Sequence, residues 1–182
     1  MIIYTPENHL KVITKVEAFA GERLLSREEK SDYHQFRIDG AYAKDLLRFL
    51  KEDSELAFTH FIDLAGVDYS RYPVEQPGRY AIVYTLLSAK LGVKVQVKAF
   101  VSGTEPQLPS VTSVFMGALW TEREIWDLYG IEFLGHPNLT RILMPDDFEG
   151  HPLRKDYPLK GRGERGNFPV YHATEVKPQG GT

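Results

Sequence analysis

The chain has 182 residues, 42% hydrophobic and 26% charged, with a net charge of −3. That composition suits one ordinary globular domain with a real core, and so mild a charge speaks against nucleic acid as the main partner. There is no cysteine, which excludes thiolate-ligated zinc, iron–sulfur clusters, disulfides and a cysteine nucleophile.

Thr5, Pro6 and Glu7 read as an N-cap, a first-turn proline and an acid at the positive end of a helix. Leu10, Ile13, Val16 and Ala20 recur at helical spacing and Gly21 stops it. Two short strands, 23–26 and 33–38, flank the charged turn Arg27–Asp32. Asp39 caps a second helix in which Tyr42, Leu46, Phe49 and Leu50 share a face, ending near Asp53-Ser54. A strand is expected over Phe58–Tyr69, then a loop rich in proline and glycine, then strands Tyr80–Leu87 and Val93–Val101 joined as a hairpin by Ser88–Gly92. In the last strand Val93, Val95, Val97 and Ala99 alternate with Lys94, Gln96 and Lys98, the mark of one buried and one wet face. The order helix, strands, helix, strands, helices argues an α+β fold with a partly antiparallel sheet, packed helices and an extended C-terminal arm.

From Ser110 to Tyr129 the pattern is helical with a break. Thr121 and Glu124 form a capping-box pattern that restarts the helix, Trp120 staples against Ile125, and Gly130 ends it. Glu122 and Glu124 then fall in a first turn, where acids suit the exposed N–H groups. Asp127 breaks the local rule, because a negative charge in a last turn opposes the helix dipole. A partly buried ion-pair network is the expected reason: Arg123 lies one turn earlier, and Arg141 or Arg154 folds back to it. Beyond Pro137 glycine and proline increase, and residues 158–182 hold three prolines and five glycines. The segment from His151 onward carries +3, leaving −6 for residues 1–150. The chain thus divides into an α+β domain, 1–135, and an extended arm, 136–182.

The run Glu122-Arg123-Glu124, Asp127, Leu128-Tyr129, His136, Arg141 and Leu143, followed by Pro152-Leu153-Arg154-Lys155-Asp156-Tyr157-Pro158, resembles the signature of the 30-kDa subunit family of respiratory complex I. His60–Tyr69, the Arg79–Leu87 strand and Pro109-Ser110-Val111-Thr112 look like further landmarks of that family, so the resemblance covers about residues 55–158.

The resemblance implies the 30-kDa subunit of a proton-translocating NADH:quinone oxidoreductase. That is a scaffold with no catalytic, cofactor-binding or metal-binding residues of its own. Its arm would lie over the 49-kDa subunit, expected as a separate polypeptide. FMN, iron–sulfur clusters and quinone would belong to other subunits. Glu122, Arg123, Glu124, Asp127, His136, Arg141, Arg154, Lys155 and Asp156 would be fold and interface determinants, with the division between the two left open. His136 is expected to hydrogen-bond near Asp127 or in the following turn.

The start of the sequence lacks a secretion signal, and no run reaches the roughly 18 apolar residues of a membrane span. The expected location is therefore cytosolic, or peripheral to a membrane on its cytosolic side, and the resemblance implies the second, as part of a membrane complex. The alternative within the resemblance is the equivalent subunit of a membrane-bound hydrogenase or another-donor complex.

Readings from other classes are weaker. Gly161-Arg162-Gly163-Glu164-Arg165-Gly166 matches Gly-x-Gly-x-x-Gly, but Pro158 precedes it and Pro169 follows, where a dinucleotide site needs a strand and a helix. His136, His151, Asp146, Asp147 and Glu149 could be drawn as a hydrolase's metal cluster, yet both histidines precede proline in loops rather than standing at helical spacing. The tyrosines and tryptophans fit core and protein contacts better than a nucleic-acid stacking surface in an acidic body.

Overall fold

Residues 5–30 and 32–163 are described by the structure, a computed structural model. The strand with the clearest alternation sits at the centre of the sheet. Val93, Val95, Val97 and Ala99 of β5 (Val93–Val101) are buried on the core face, while Lys94, Gln96 and Lys98 lie half-buried on the other. Five strands are ordered β1 (Leu24–Glu29), β2 (Tyr33–Asp39), β5, β4 (Tyr80–Ser88) and β3 (His60–Asp68). The β2–β5 pair is parallel and the others antiparallel. One core row reads Phe36, Val97, Tyr84 and Leu64 across four strands, and the next reads Ile38, Ala99, Ile82 and Gly66. The expected hairpin forms, with Gly92 at φ 67° and its N–H on the Ser88 carbonyl at 2.9 Å.

Helix α1 (Pro6–Ala20) starts and stops where expected, although Thr5 makes no side-chain cap. Its buried stripe is His9, Val12, Val16 and Ala20, and Leu10 is 63% exposed. The helix is thus turned by about one residue from the apolar face read in the sequence. The cause is His9, whose Nδ1 lies 2.7 Å from Nε2 of His34 on β2. Asp39 caps a 3-10 turn, accepting from the Ala41 N–H, and this turn runs into α2 (Ala43–Glu52). There Ala43, Leu46, Leu47 and Leu50 are buried. Tyr42 and Phe49 sit at the rim, Tyr42 under Arg23 and Phe49 stacked on Phe19 at 4.2 Å.

The largest correction concerns the third helix. Residues 110–117 contain turns only, and α3 (Ala118–Tyr129) begins directly after Gly117. Gly117 is the place where the chain closes on the sheet, since a Cβ there would stand 3.2 Å from the Phe61 ring. The fully buried Ala118 follows and starts the helix upstream of the expected cap. Thr121 therefore lies inside the helix, its hydroxyl on the Ala118 carbonyl at 3.4 Å. Trp120 is 63% exposed instead of stapled. Glu122 falls in the second turn, not the first. Two short strands unforeseen in the sequence, β6 (Gln107–Pro109) and β7 (Glu132–Leu134), pair in parallel on either side of α3.

Helix α3 packs on β3 through Gly66, where any Cβ would come within 2.8 Å of the Tyr129 ring. Beyond β7, residues 135–163 carry no helix or strand and fold as turns against the C-terminal end of α3 and the end of β3. The rest of the expected arm, 164–182, lies outside the described residues, and with it half of the Gly-x-Gly-x-x-Gly run.

Candidate functional site

The signature residues converge on α3, and two of its acids are completely buried. Glu122 and Asp127 both have 0% exposure. Five positions apart, they point about 140° from each other around the helix. Each is held by a different segment.

Asp127 faces the turn after β7. Its Oδ2 accepts the successive N–H groups of Ile142, Leu143 and Met144 at 3.0, 2.8 and 2.9 Å. Its Oδ1 accepts from Arg141 at 2.5 Å. Burial alone would push this carboxyl up. The nest of three N–H groups and the Arg141 guanidinium outweigh it and hold the group below the usual carboxylate range. Arg141 also donates to the Phe148 and Gly150 carbonyls at 2.6 and 3.2 Å. The ion pair that Asp127 called for is therefore with Arg141. Arg123 instead donates to the Thr140 and Arg141 carbonyls at 2.9 and 2.8 Å and lies under Trp120.

The C-terminus of α3 leaves carbonyls without helical partners, and residues 151–154 supply those partners. His151 Nδ1 donates to the Asp127 carbonyl at 2.9 Å, and the Leu153 N–H to Leu128 at 3.0 Å. Arg154 donates to Tyr129 at 2.5 Å and to Gly130 at 3.2 Å. A cation here suits the negative end of the dipole. Gly130 takes the left-handed conformation at φ 68°, and the side chains of His151 and Arg154 lie where a Cβ would go. His151 must donate from Nδ1, since a carbonyl only accepts. Burial lowers its pKa and favours the neutral ring.

A second clamp follows. Asp68 at the end of β3 has a fully buried side chain. It accepts from the N–H groups of Ser70 at 2.9 Å and Lys155 at 2.8 Å, and from Arg79 at 3.2 Å. Burial opposes its charge, but Arg79 and the two N–H groups win, and its pKa falls to about 2. Arg79 then reaches Asp156 at 2.7 Å. Lys155 takes part through its backbone, with its side chain exposed, and Asp156 is 60% exposed.

His136 sits at the other end of α3 from Asp127. It accepts from the Asn138 N–H at 3.0 Å, which leaves its Nε2 to donate to the Leu119 carbonyl at 3.0 Å. Glu124 is exposed and makes no hydrogen bond or ion pair among the described residues. Glu122 accepts from the Ser110 hydroxyl and the Val111 N–H, both at 2.7 Å, and burial raises its pKa to about 7. Asp68, Arg79 and Ser110 entered the sequence reading only as members of family landmarks, and His151 only as a discounted metal ligand; none was given a clamping role.

Chemically the arrangement clamps. Asp127 and Asp68 hold backbone N–H groups and guanidinium ions, and none of these partners is a nucleophile. An open hollow of about 580 Å³ borders Trp126, His151 and Arg154. Among the described residues no three His, Asp or Glu side chains are grouped to hold a metal. No helix of the described residues is long and apolar enough to cross a membrane.

Residues 36–163 match the family described as respiratory-chain NADH dehydrogenase, 30 Kd subunit. An NADH-quinone oxidoreductase subunit of Sinorhizobium medicae is 50% identical over 116 residues, which is 64% of this chain and 55% of that protein. The match therefore spans about half the length of that relative. The NADH-quinone oxidoreductase subunit of the same type from Mesorhizobium japonicum is 40% identical over 153 residues, 82% of this chain and 74% of that protein. The solved trypsin-resistant fragment (1-134) of Nqo5 is 29% identical with a TM-score of 0.62, covering 72% of this chain and 99% of the fragment. A chain of the membrane-bound sulfane sulfur reductase, an archaeal respiratory membrane complex, shares the fold at 20% identity and a TM-score of 0.70, over 92% of this chain and 97% of that one. This chain belongs to the 30-kDa subunit family of the respiratory-chain NADH dehydrogenase.

Proposed function

We propose that this chain is a scaffold subunit of the hydrophilic arm of a proton-translocating NADH:quinone oxidoreductase. In this reading it is peripheral on the cytoplasmic side, packs on the 49-kDa subunit, and leaves FMN, iron–sulfur clusters and quinone to other subunits. The observation that carries the reading is how the signature residues are used. Asp127, Arg141 and Arg154 are spent on fixing residues 141–154 to α3, so the segment meets a partner already shaped. Pre-ordering reduces the entropy lost on association. The partner-facing set is then what these clamps leave outside: Glu124, the Lys155 side chain, and Leu143, Leu153 and Leu159, which are 54, 44 and 105% exposed. The division falls between the 1–135 domain as body and the 136–182 arm as docking element.

The test is a tagged pull-down from native, detergent-solubilised membranes with the co-purifying chains identified by mass. Recovery of a homologue of the 49-kDa subunit with flavoprotein and iron–sulfur partners and NADH:quinone activity is expected. The likeness of fold to a chain of the sulfane sulfur reductase complex favours one second reading, the equivalent subunit of a membrane complex with another electron donor. Recovery of a nickel-binding or other donor subunit in place of the NADH flavoprotein would select it. A chain recovered alone would overturn both.

A further inference from the structure

Three buried acids organise this molecule, and one is treated unlike the others. Asp127 and Asp68 each receive a guanidinium and at least two backbone N–H groups. Glu122 is as deeply buried, at 0% exposure, yet no cation touches it among the described residues. Its Oε1 accepts one N–H, from Val111 at 2.7 Å, and its Oε2 faces the Ser110 hydroxyl at 2.7 Å. An isolated charge in such a place is costly, and a carboxyl there tends to take up a proton.

The Ser110 hydroxyl does not end at Glu122. It lies 2.8 Å from the Thr112 hydroxyl, where either oxygen can donate, and it accepts the Thr112 N–H at 3.2 Å. Thr112 is half-buried, so the hydroxyl chain leads from a sealed carboxyl toward solvent. The three oxygens have two consistent hydrogen-bond orders. With Glu122 charged, Thr112 donates to Ser110 and Ser110 donates to Oε2. With Glu122 protonated, its O–H donates to Ser110 and Ser110 donates to Thr112. The Val111 and Thr112 N–H groups serve both orders, and no heavy atom has to move.

We propose that Glu122 is a proton-binding site in the seam between α3 and β6, filled and emptied through the Ser110 and Thr112 hydroxyls. A hydronium ion gives a proton to the Thr112 oxygen and leaves as water, Thr112 passes its own proton to Ser110, and Ser110 passes its own to Oε2. Each hydroxyl loses one O–H bond and gains one, so one proton enters and one is stored. Two titratable groups face the site from other elements. The Lys44 ammonium of α2 acts only through its field and favours the charge. The Tyr84 hydroxyl of β4 is fully buried and has no hydrogen-bond partner among the described residues, and burial together with Glu122 pushes its pKa well up. Burial sets the balance at Glu122 and brings its pKa to about 7. The stored proton matters to more than this side chain, because the Ser110 N–H holds the Leu134 carbonyl of β7 at 2.9 Å. The proton thus sits at the seam from which the 135–163 segment departs.

Infrared difference spectroscopy of the purified chain between about pH 5 and about pH 8 tests this, reading the C=O stretch of a protonated carboxyl in an apolar site. Wild type is expected to show such a band titrating with a midpoint near 7. Glu122→Gln should fold and lack the band, since its amide can accept the Val111 N–H and donate to Ser110. Ser110→Ala removes a donor to the charged form and should move the midpoint up. After a pH jump, Thr112→Val should equilibrate at least ~10-fold more slowly than wild type. A wild-type midpoint below about 5.5, or a band that survives Glu122→Gln, would overturn the site. Equal pH-jump rates in wild type and Thr112→Val would overturn the relay.

Discussion

Three carboxylates with similar burial do different work because of what surrounds each. Asp127 stays ionised in a sealed site because three N–H groups and Arg141 are aimed at it. Removing it would strand all four donors, so Asp127→Ala should lose about 3–5 kcal/mol of stability, the range for breaking a buried charge pair on one side. The loss should appear in urea unfolding, with faster amide exchange at Ile142–Met144. Unchanged exchange there would refute the clamp. Glu124 is the control on the same helix. It is exposed and bonded to nothing described, so Glu124→Ala should stay within about 0.5 kcal/mol of wild type in the isolated chain. A Glu124→Ala chain that folds normally but fails to bring down its partners would mark this side chain as a contact. That an acid in the last turn needed a partner was legible in the sequence, as a broken dipole rule. Which arginine served it was not, since Arg123, Arg141 and Arg154 were equally available until the chain folded back. The burial of Glu122 left no such trace, because an acid near a helix start is ordinary on a wet face.

Among the elements, strands and helices followed periodicity wherever one face dominates. The alternation in β5 and the apolar face of α2 are examples. Periodicity failed where a polar residue took a core position: His9 pairs with His34 and turns α1 away from the face its leucine and isoleucine suggest. It failed again at α3, where the start is set by Gly117 closing on Phe61 rather than by a local cap. The parallel β2–β5 and β6–β7 pairs join segments far apart in sequence, and no local pattern announces them. Close approach is the physical theme of this layer. Because a Cβ at Gly66 would meet the Tyr129 ring at 2.8 Å, Gly66→Ala should push α3 off β3 and lose about 1–3 kcal/mol. Combining it with Tyr129→Leu, which removes the ring, should recover part of that loss in a thermal or urea melt. Strictly additive losses would mean that the contact does not set the helix–sheet distance.

For the molecule as a whole, the end of β3 and the segment beyond Arg154 stand or fall together. Asp68 is where they meet, because it takes the Lys155 N–H and Arg79, and Arg79 takes Asp156. Its pKa drops from 3.8 to about 2 on folding. The unfolded chain therefore binds the proton more readily over that interval. The stabilisation is fully present above about pH 4 and is lost as pH falls through about 2. A shift of this size corresponds to about 2 kcal/mol. Glu122 contributes with the opposite sign. Its pKa rises from 4.5 to about 7, so the folded chain holds the extra proton and stability falls as pH climbs through that window. Taken by themselves the two acids favour a pH between their windows, while the lowered pKa of His151 works against Glu122, because a buried neutral histidine gains stability as pH rises. In urea unfolding, Asp68→Asn should be the less stable chain at about pH 5 and should converge with wild type toward pH 2. Its amide exchange should rise near Lys155 at the higher pH. Parallel stability curves, separated by the same amount at every pH, would show that Asp68 acts through shape alone. The carboxylate would then have no part in holding the segment to the sheet.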